Sequence, residues 1–242
     1  MRKLTLYFAP GACSRVALIA LEMIGVEFET ELVSFMAGGH KKPSFKALNP
    51  SSKIPVLVAD NTPISQNIAI LTWLDETYPH AKLLPKMDSA LERAQVLGWL
   101  SKFSSDLHPL VSRIRVPHFF CDIETGPERV AQLATKTLRE QLVYFEDVLD
   151  NQPWLTGTDF TIIDAYLHWV WFRVTGAGFD PTDFPSISAH YAKTLKIPAV
   201  QKALDQESRA EAYLESQGLN PEFLKSKIAM PPPHADFANT HN

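Results

Sequence analysis

The apolar pattern of this chain changes period once, near residue 80, and that change limits the fold more than any other feature. Before it, short stretches with a strand's alternation take turns with helical ones. After it, a helical period runs almost unbroken to about residue 216. The boundary itself, "PHAKLLPKMD" at 79–88, carries two prolines and reads as a linker. The expected organisation is therefore an α/β domain over 1–79, a linker over 80–88, an all-helical domain over 89–217 and a tail over 218–242.

Within the first part, "KLTLYF" at 3–8 has the β-branched and aromatic content of a strand, and Pro10 and Gly11 end it. From 14 to 24 the apolar residues Val16, Leu18, Ile19, Leu21, Met23 and Ile24 are too dense for an exposed helix. They fit one buried around most of its circumference, with Gly25 where a helix end tolerates positive φ. "EFETELVSF" at 27–35 alternates like a second strand, and this spacing suffices for a parallel crossover. A loop with one helical turn near 44–48 follows. "IPVLVAD", the tight turn "NT" and "PIS" then read as a hairpin. Ser65 can cap a helix whose apolar face is Ile68, Ile70, Leu71, Trp73 and Leu74 and which Pro79 ends. The order is βαβ–ββα.

The second part predicts helices over 89–114, 127–149, 162–174, 186–195 and 199–216. "GTDFTIIDAYL" has the form of a capping box, Thr161 with Asp164, and Phe160 and Ala165 are placed to staple it. That motif reads as architectural. The terminal "PPPHADFANTHN" lacks the apolar density to build structure of its own.

Several classes of function are disfavoured. A net charge of −4 and no basic stripe argue against a nucleic-acid surface. No stretch approaches the roughly 18 apolar residues of a membrane span. No secretory cleavage pattern follows the start. Two cysteines, Cys13 and Cys121, make no disulfide framework, so a cytoplasmic setting is expected. His40, His80, His118, His168 and His190 have no metal-ligand spacing, neither cysteine belongs to a CxxC pair, and no metal is expected. GxSxG, P-loop and GxGxxG patterns are missing. What stands out is Cys13 at the strand-to-helix bend, open to reading as a nucleophile, a ligand contact or a small hydrophobe.

Five stretches carry a family resemblance: "YFAPGACS" at 7–14, "NPSSKIPVL" at 49–57, "SQNIAI" at 65–70, "SDLHPL" at 105–110 and "DFTIIDAYL" at 159–167. In this order and spacing they resemble the soluble glutathione transferases, and "PGACS" with the later "LH" resembles the bacterial beta class. The resemblance implies a thioredoxin-like first domain, an all-helical second one, and a homodimer. It implies glutathione as co-substrate with no resident cofactor, and a small apolar electrophile as second substrate. Carried over residue by residue, it places Cys13, Ser14 and Tyr7 as catalytic candidates. Ile54 and a cis Pro55, with Lys53, Gln66, Asn67 and His108, would bind glutathione. Ala12, Phe119, Phe120, Cys121 and Trp171 are candidates for the electrophile pocket, although core packing accounts for most aromatics of the 162–174 helix. The chain departs from the family in two places. Gln66 and Asn67 stand where an acidic residue and a serine are usual. Pro109 replaces a basic residue and should kink its helix.

Glutathione must lose its thiol proton to attack, because the thiolate is the nucleophile. A helix N-terminus supplies roughly 0.3 to 1 kcal/mol toward a nearby anion, which is too little alone, so a further donor is needed at the first turn. Cys13 and Ser14 both remain open for that part. A thiol–disulfide oxidoreductase or peroxidase acting through Cys13, and a non-catalytic glutathione-binding protein, are the alternatives.

Overall fold

The structure, a computed structural model, describes residues 2–219. Its first part has strand β1 (Leu4–Phe8), helix α1 (Ser14–Ile24) and strand β2 (Glu29–Leu32), then α2 (Pro43–Leu48), β3 (Val56–Ala59), β4 (Thr62–Ser65) and α3 (Asn67–Thr77). The four strands lie in the order β2-β1-β3-β4, with β1 parallel to β2 and antiparallel to β3, and β4 antiparallel to β3. Pro63 sits in β4, an edge strand, where a missing ladder donor costs least. Alternation along β1 sorts its side chains between two faces. Leu4, Leu6 and Phe8 join the core that contains α1 and α3, whereas Tyr7 packs with Val33, Phe45 and Val56 on the α2 side.

Every residue of α1 from Ser14 to Leu21 is buried, because α3, α7 and α9 all pack against this helix as well as β1. The dense apolar run in the sequence is thus realised as a helix enclosed on most sides. Gly25 closes it at φ 74°, its amide donating to Leu21 O.

The second part comprises α4 (Ala90–Ser101), α5 (His108–Arg115), α6 (Gly126–Asn151), α7 (Ile162–Thr175), α8 (Pro185–Thr194) and α9 (Pro198–Ser216). The single helix expected over 89–114 is divided by a π-helical stretch, Lys102–Leu107, directly before Pro109. Pro109 has no amide proton and its ring crowds the carbonyl one turn back. Widening the turn, with His108 N donating to Phe103 O five residues earlier, absorbs that conflict.

The two parts share one continuous core, from Leu4 on β1 through α1 to Ala203 on α9. The boundary segment belongs to it. Leu83 and Leu84 are buried, and Leu83 O accepts from Ile162 N at 2.9 Å. Asp164, fully buried at the start of α7, accepts from Thr161 N (3.0 Å), Thr161 Oγ1 (3.0 Å), Leu155 N (2.8 Å) and His190 Nε2 (3.0 Å). Of the tail expected over 218–242, residues 220–242 lie outside the described residues.

Candidate active site

Cys13 occupies the N-cap position of α1, where the first amides of a helix have no intrahelical acceptor. Its thiol is buried and points at Ile54 O, 3.7 Å away. Burial pushes the Cys13 thiol up to about 12, against the pull of its own amide, of Arg173 and Lys53, and of the Ser14 amide. The neutral thiol is therefore the resting form, while the surroundings of the sulfur are electropositive. Ser14 is differently engaged. It is fully buried, and its hydroxyl accepts from Ala9 N (3.3 Å) and donates to Ala9 O (3.2 Å), bracing the turn that leads out of β1.

Two further segments meet this turn. The Ile54–Pro55 peptide bond is cis. Ile54 O faces Cys13, and exposed Lys53 lies close enough for its charge to act on both Cys13 and His108. At the start of α3, buried Asn67 donates from Nδ2 to Cys13 O (2.9 Å) and to Tyr166 Oη (3.4 Å), tying α3 and α7 to the first turn of α1. Gln66 before it is exposed and adopts φ 76°, ψ 126°, a left-handed backbone disfavoured for any residue with a side chain. Holding it there costs about 1–3 kcal/mol, and such strain collects at ligand-binding positions.

The facing wall comes from α5 and α7. Trp169 Nε1 donates to Gly11 O at 3.2 Å, and His108 meets the Trp169 ring edge-on at 4.7 Å. Burial, then Arg173 and Lys53, lower the His108 pKa to about 4, so its imidazole is neutral at physiological pH. Phe172 and Arg173 also approach Gly11, and the Arg15 guanidinium stacks on Phe172 at 3.8 Å.

The structure separates other candidates from this group. Tyr7 points to the opposite face of the sheet, edge-on to Phe45, because β1 alternates and α1 covers the other side. Trp171 is buried among Phe179 and Phe184. Phe119, Phe120 and Cys121 follow α5 at the end opposite His108. There Phe119 is 73% exposed, Phe120 stacks under Arg113, and Cys121 packs against Gly126 so closely that no Cβ fits. Ala12 does stay in the turn, its amide donating to Ala9 O. Sequence reasoning missed Trp169 and Arg173 as site residues. They lie more than 150 positions from Gly11, with only an aromatic-rich helix to mark them.

A family model described as the glutathione S-transferase N-terminal domain matches residues 11–77, and one described as the C-terminal domain matches residues 98–198. The chain belongs to the glutathione S-transferase family. A Xanthomonas campestris glutathione S-transferase is 30% identical over 202 residues, 84% of this chain and 98% of that protein. A Methylococcus capsulatus glutathione transferase structure is 32% identical with a TM-score of 0.74, covering 85% of this chain and 99% of that one. A bacterial beta class glutathione S-transferase from Sphingomonas chungbukensis is 27% identical with a TM-score of 0.73, covering 84% and 98%. This glutathione S-transferase accordingly has a thioredoxin-like N-terminal domain and an all-helical C-terminal one. No helix among the described residues is long and apolar enough to cross a membrane, and no group of side chains among them could hold a metal ion.

Proposed function

We propose that the protein is a glutathione transferase that binds glutathione along the first turn of α1, the 53–55 segment and the start of α3, with the sulfur beside Cys13. One observation carries this reading: the Cys13 thiol faces Ile54 O while Asn67 holds Cys13 O, so three segments far apart in sequence meet at one residue. Ile54 offers backbone to the cysteinyl part. Gln66 and the start of α3 take the γ-glutamyl end, and Lys53 is within reach of a carboxylate. Gln66 lacks the charge of an acidic side chain, which weakens its hold on the ligand's ammonium by about 1 kcal/mol.

The amides of Cys13 and Ser14, with the charges of Lys53 and Arg173, favour an anion at this position. They stabilise the glutathione thiolate, to which the neutral Cys13 thiol donates. The same burial opposes a redox mechanism, because Cys13 itself forms almost no thiolate at neutral pH. Conjugation of 1-chloro-2,4-dinitrobenzene at saturating glutathione tests the reading. Cys13→Ala is expected to lower kcat/KM about tenfold, the loss of one hydrogen bond to a charged group. Ser14→Ala is expected to act on stability instead, by about 1–3 kcal/mol, since it strips Ala9 of its hydroxyl partner. Glutathione binding without turnover of any electrophile or disulfide would leave only a binding protein.

Gln66→Gly gives a second check in which two properties move oppositely. Glycine accepts φ 76° freely, so the variant should gain about 1 kcal/mol of stability while glutathione binding weakens. Urea titration and calorimetry read the two signs, and loss of stability would remove the argument from strain.

A homodimer and a cytoplasmic location belong to the same proposal. Exposed Leu91 and Leu97 on α4, and Val143 and Tyr144 on α6, offer apolar surface for a second copy. Gel filtration at twice the chain mass is expected; elution as a monomer would refute it. Two free thiols suit a reducing compartment.

A further inference from the structure

Arg173 adds to the positive field at the sulfur site, but the account above gives its guanidinium no hydrogen-bonding partner. It extends from α7 against the turn at 10–13, and its Nη1 lies 3.2 Å from where a Cβ on Gly11 would stand. Gly11 is two residues from Cys13, and the guanidinium charge acts on both Cys13 and His108. Arg15 nearby is answered by Glu207, and Arg115 donates to Gly176 O at 3.1 Å. Among the described residues, the Arg173 guanidinium makes no hydrogen bond or ion pair, and its neighbours are Gly11 and the cationic Arg15 and Arg115.

Half-buried, that guanidinium is partly stripped of water without a protein acceptor, which disfavours its charge. Burial and repulsion from Arg115 and Arg15 bring its pKa down to about 9, which still leaves it charged at neutral pH. The arrangement becomes favourable when an anion arrives. The planar fork of a guanidinium matches a carboxylate with two parallel hydrogen bonds. Neutral His108 cannot play this part, and Lys53 reaches Cys13 from the Ile54 side, where glutathione lies in the reading proposed above. Arg173 stands on the α7 side, against Gly11, and in that reading is left for a second ligand.

We infer that Arg173 receives a carboxylate of the electrophile, so that the second substrates are small carboxylic acids bearing an electrophilic carbon rather than uncharged apolar compounds. The inference rests on the glutathione transferase reading and narrows its substrate class. With the carboxylate held at Arg173, the electrophilic carbon is presented to the sulfur at Cys13. On a halogenated aromatic acid, the carbon–sulfur bond forms and the carbon–halogen bond breaks. Halide leaves with its electron pair, and the thiol proton passes to solvent. On an α,β-unsaturated acid, sulfur bonds the β-carbon, the π pair moves to the α-carbon, and that carbon takes up a proton. In both cases negative charge grows on the acid's conjugated system, where the guanidinium offsets it.

The test compares two glutathione conjugates made chemically from 4-chloro-3,5-dinitrobenzoic acid and from its methyl ester. Both are titrated by calorimetry into the full-length protein, Arg173→Gln and Arg173→Lys, with glutathione alone titrated into the unsubstituted protein. The acid conjugate is expected to bind the unsubstituted protein about 10- to 100-fold tighter than the ester, as for one charge-assisted hydrogen-bonded pair. Arg173→Gln should erase that ratio and Arg173→Lys should restore part of it. No preference for the acid in the unsubstituted protein overturns the inference, as does a preference that survives in Arg173→Gln. Because no turnover is needed, the two readings fail separately. Absence of glutathione binding removes the transferase reading and the inference with it. Glutathione binding without preference for the acid removes the inference alone.

Discussion

Glu207→Ala is expected to destabilise the protein by about 3–5 kcal/mol, the cost of leaving one member of a buried ion pair alone. Arg15 on α1 donates from Nε (3.0 Å) and Nη2 (2.6 Å) to Glu207 Oε2 on α9, and both side chains are almost wholly shielded from water. The contact joins the thioredoxin-like domain to the last helix of the other domain. Without Glu207 the Arg15 guanidinium keeps only the face of Phe172, and it stands near the equally cationic Arg173. Replacing both members by apolar residues, as in Arg15→Met with Glu207→Leu, is expected to cost far less than Glu207→Ala, because no bare charge then remains inside. Urea denaturation of the three proteins decides the matter. A Glu207→Ala midpoint near that of the unsubstituted protein would mean that water reaches Arg15 readily.

Asp164→Ala should be comparably damaging, at about 3 kcal/mol or more. It leaves two buried backbone amides, those of Leu155 and Thr161, with nothing to accept them, at about 1–3 kcal/mol each. It also removes the acceptor for His190. Thr161→Ala removes a hydroxyl that donates to that carboxylate and accepts from the Asp164 amide in the capping box, and a cap change of this kind costs about 1 kcal/mol. The ordering Asp164→Ala, then Asp164→Asn, then Thr161→Ala is the expected result of chemical denaturation, since asparagine keeps one acceptor oxygen. Equal losses for the Asp164→Ala and Thr161→Ala variants would show that the carboxylate serves only the first turn of α7.

These two sites also mark how far the sequence could be read. The Thr161–Asp164 spacing is local, and its structural part was readable from four residues. What the sequence could not supply was the reach of Asp164 to Leu155 and His190, which depends on how α7 and α8 pack. The order of strands and helices was likewise carried by short-range signals: the alternation of β1, the dense run of α1, and the prolines and glycines between elements. Cys13 stood out by local pattern, at the bend where β1 passes into α1, whereas Ile54, Pro55, Gln66 and Asn67 were named through the family resemblance of the motifs that hold them. Arg173, Trp169 and the Arg15–Glu207 pair depend on contacts across more than 150 residues, and no local pattern encodes those. Trp171 and Trp169 lie two residues apart on one helix and both are buried, so composition alone cannot say which meets Gly11. Pro109 announced a distortion, and its form is a π-helical turn between α4 and α5, with Phe103 and Leu107 packed into the core.

The shared core has a further consequence. Leu83 and Leu84 are packed into it, Trp169 is hydrogen-bonded to Gly11, and Arg15 is locked to Glu207. Swinging one domain from the other would break all three at once, so the protein has no soft hinge along that seam. The chain should therefore melt in a single transition, without one domain unfolding ahead of the other.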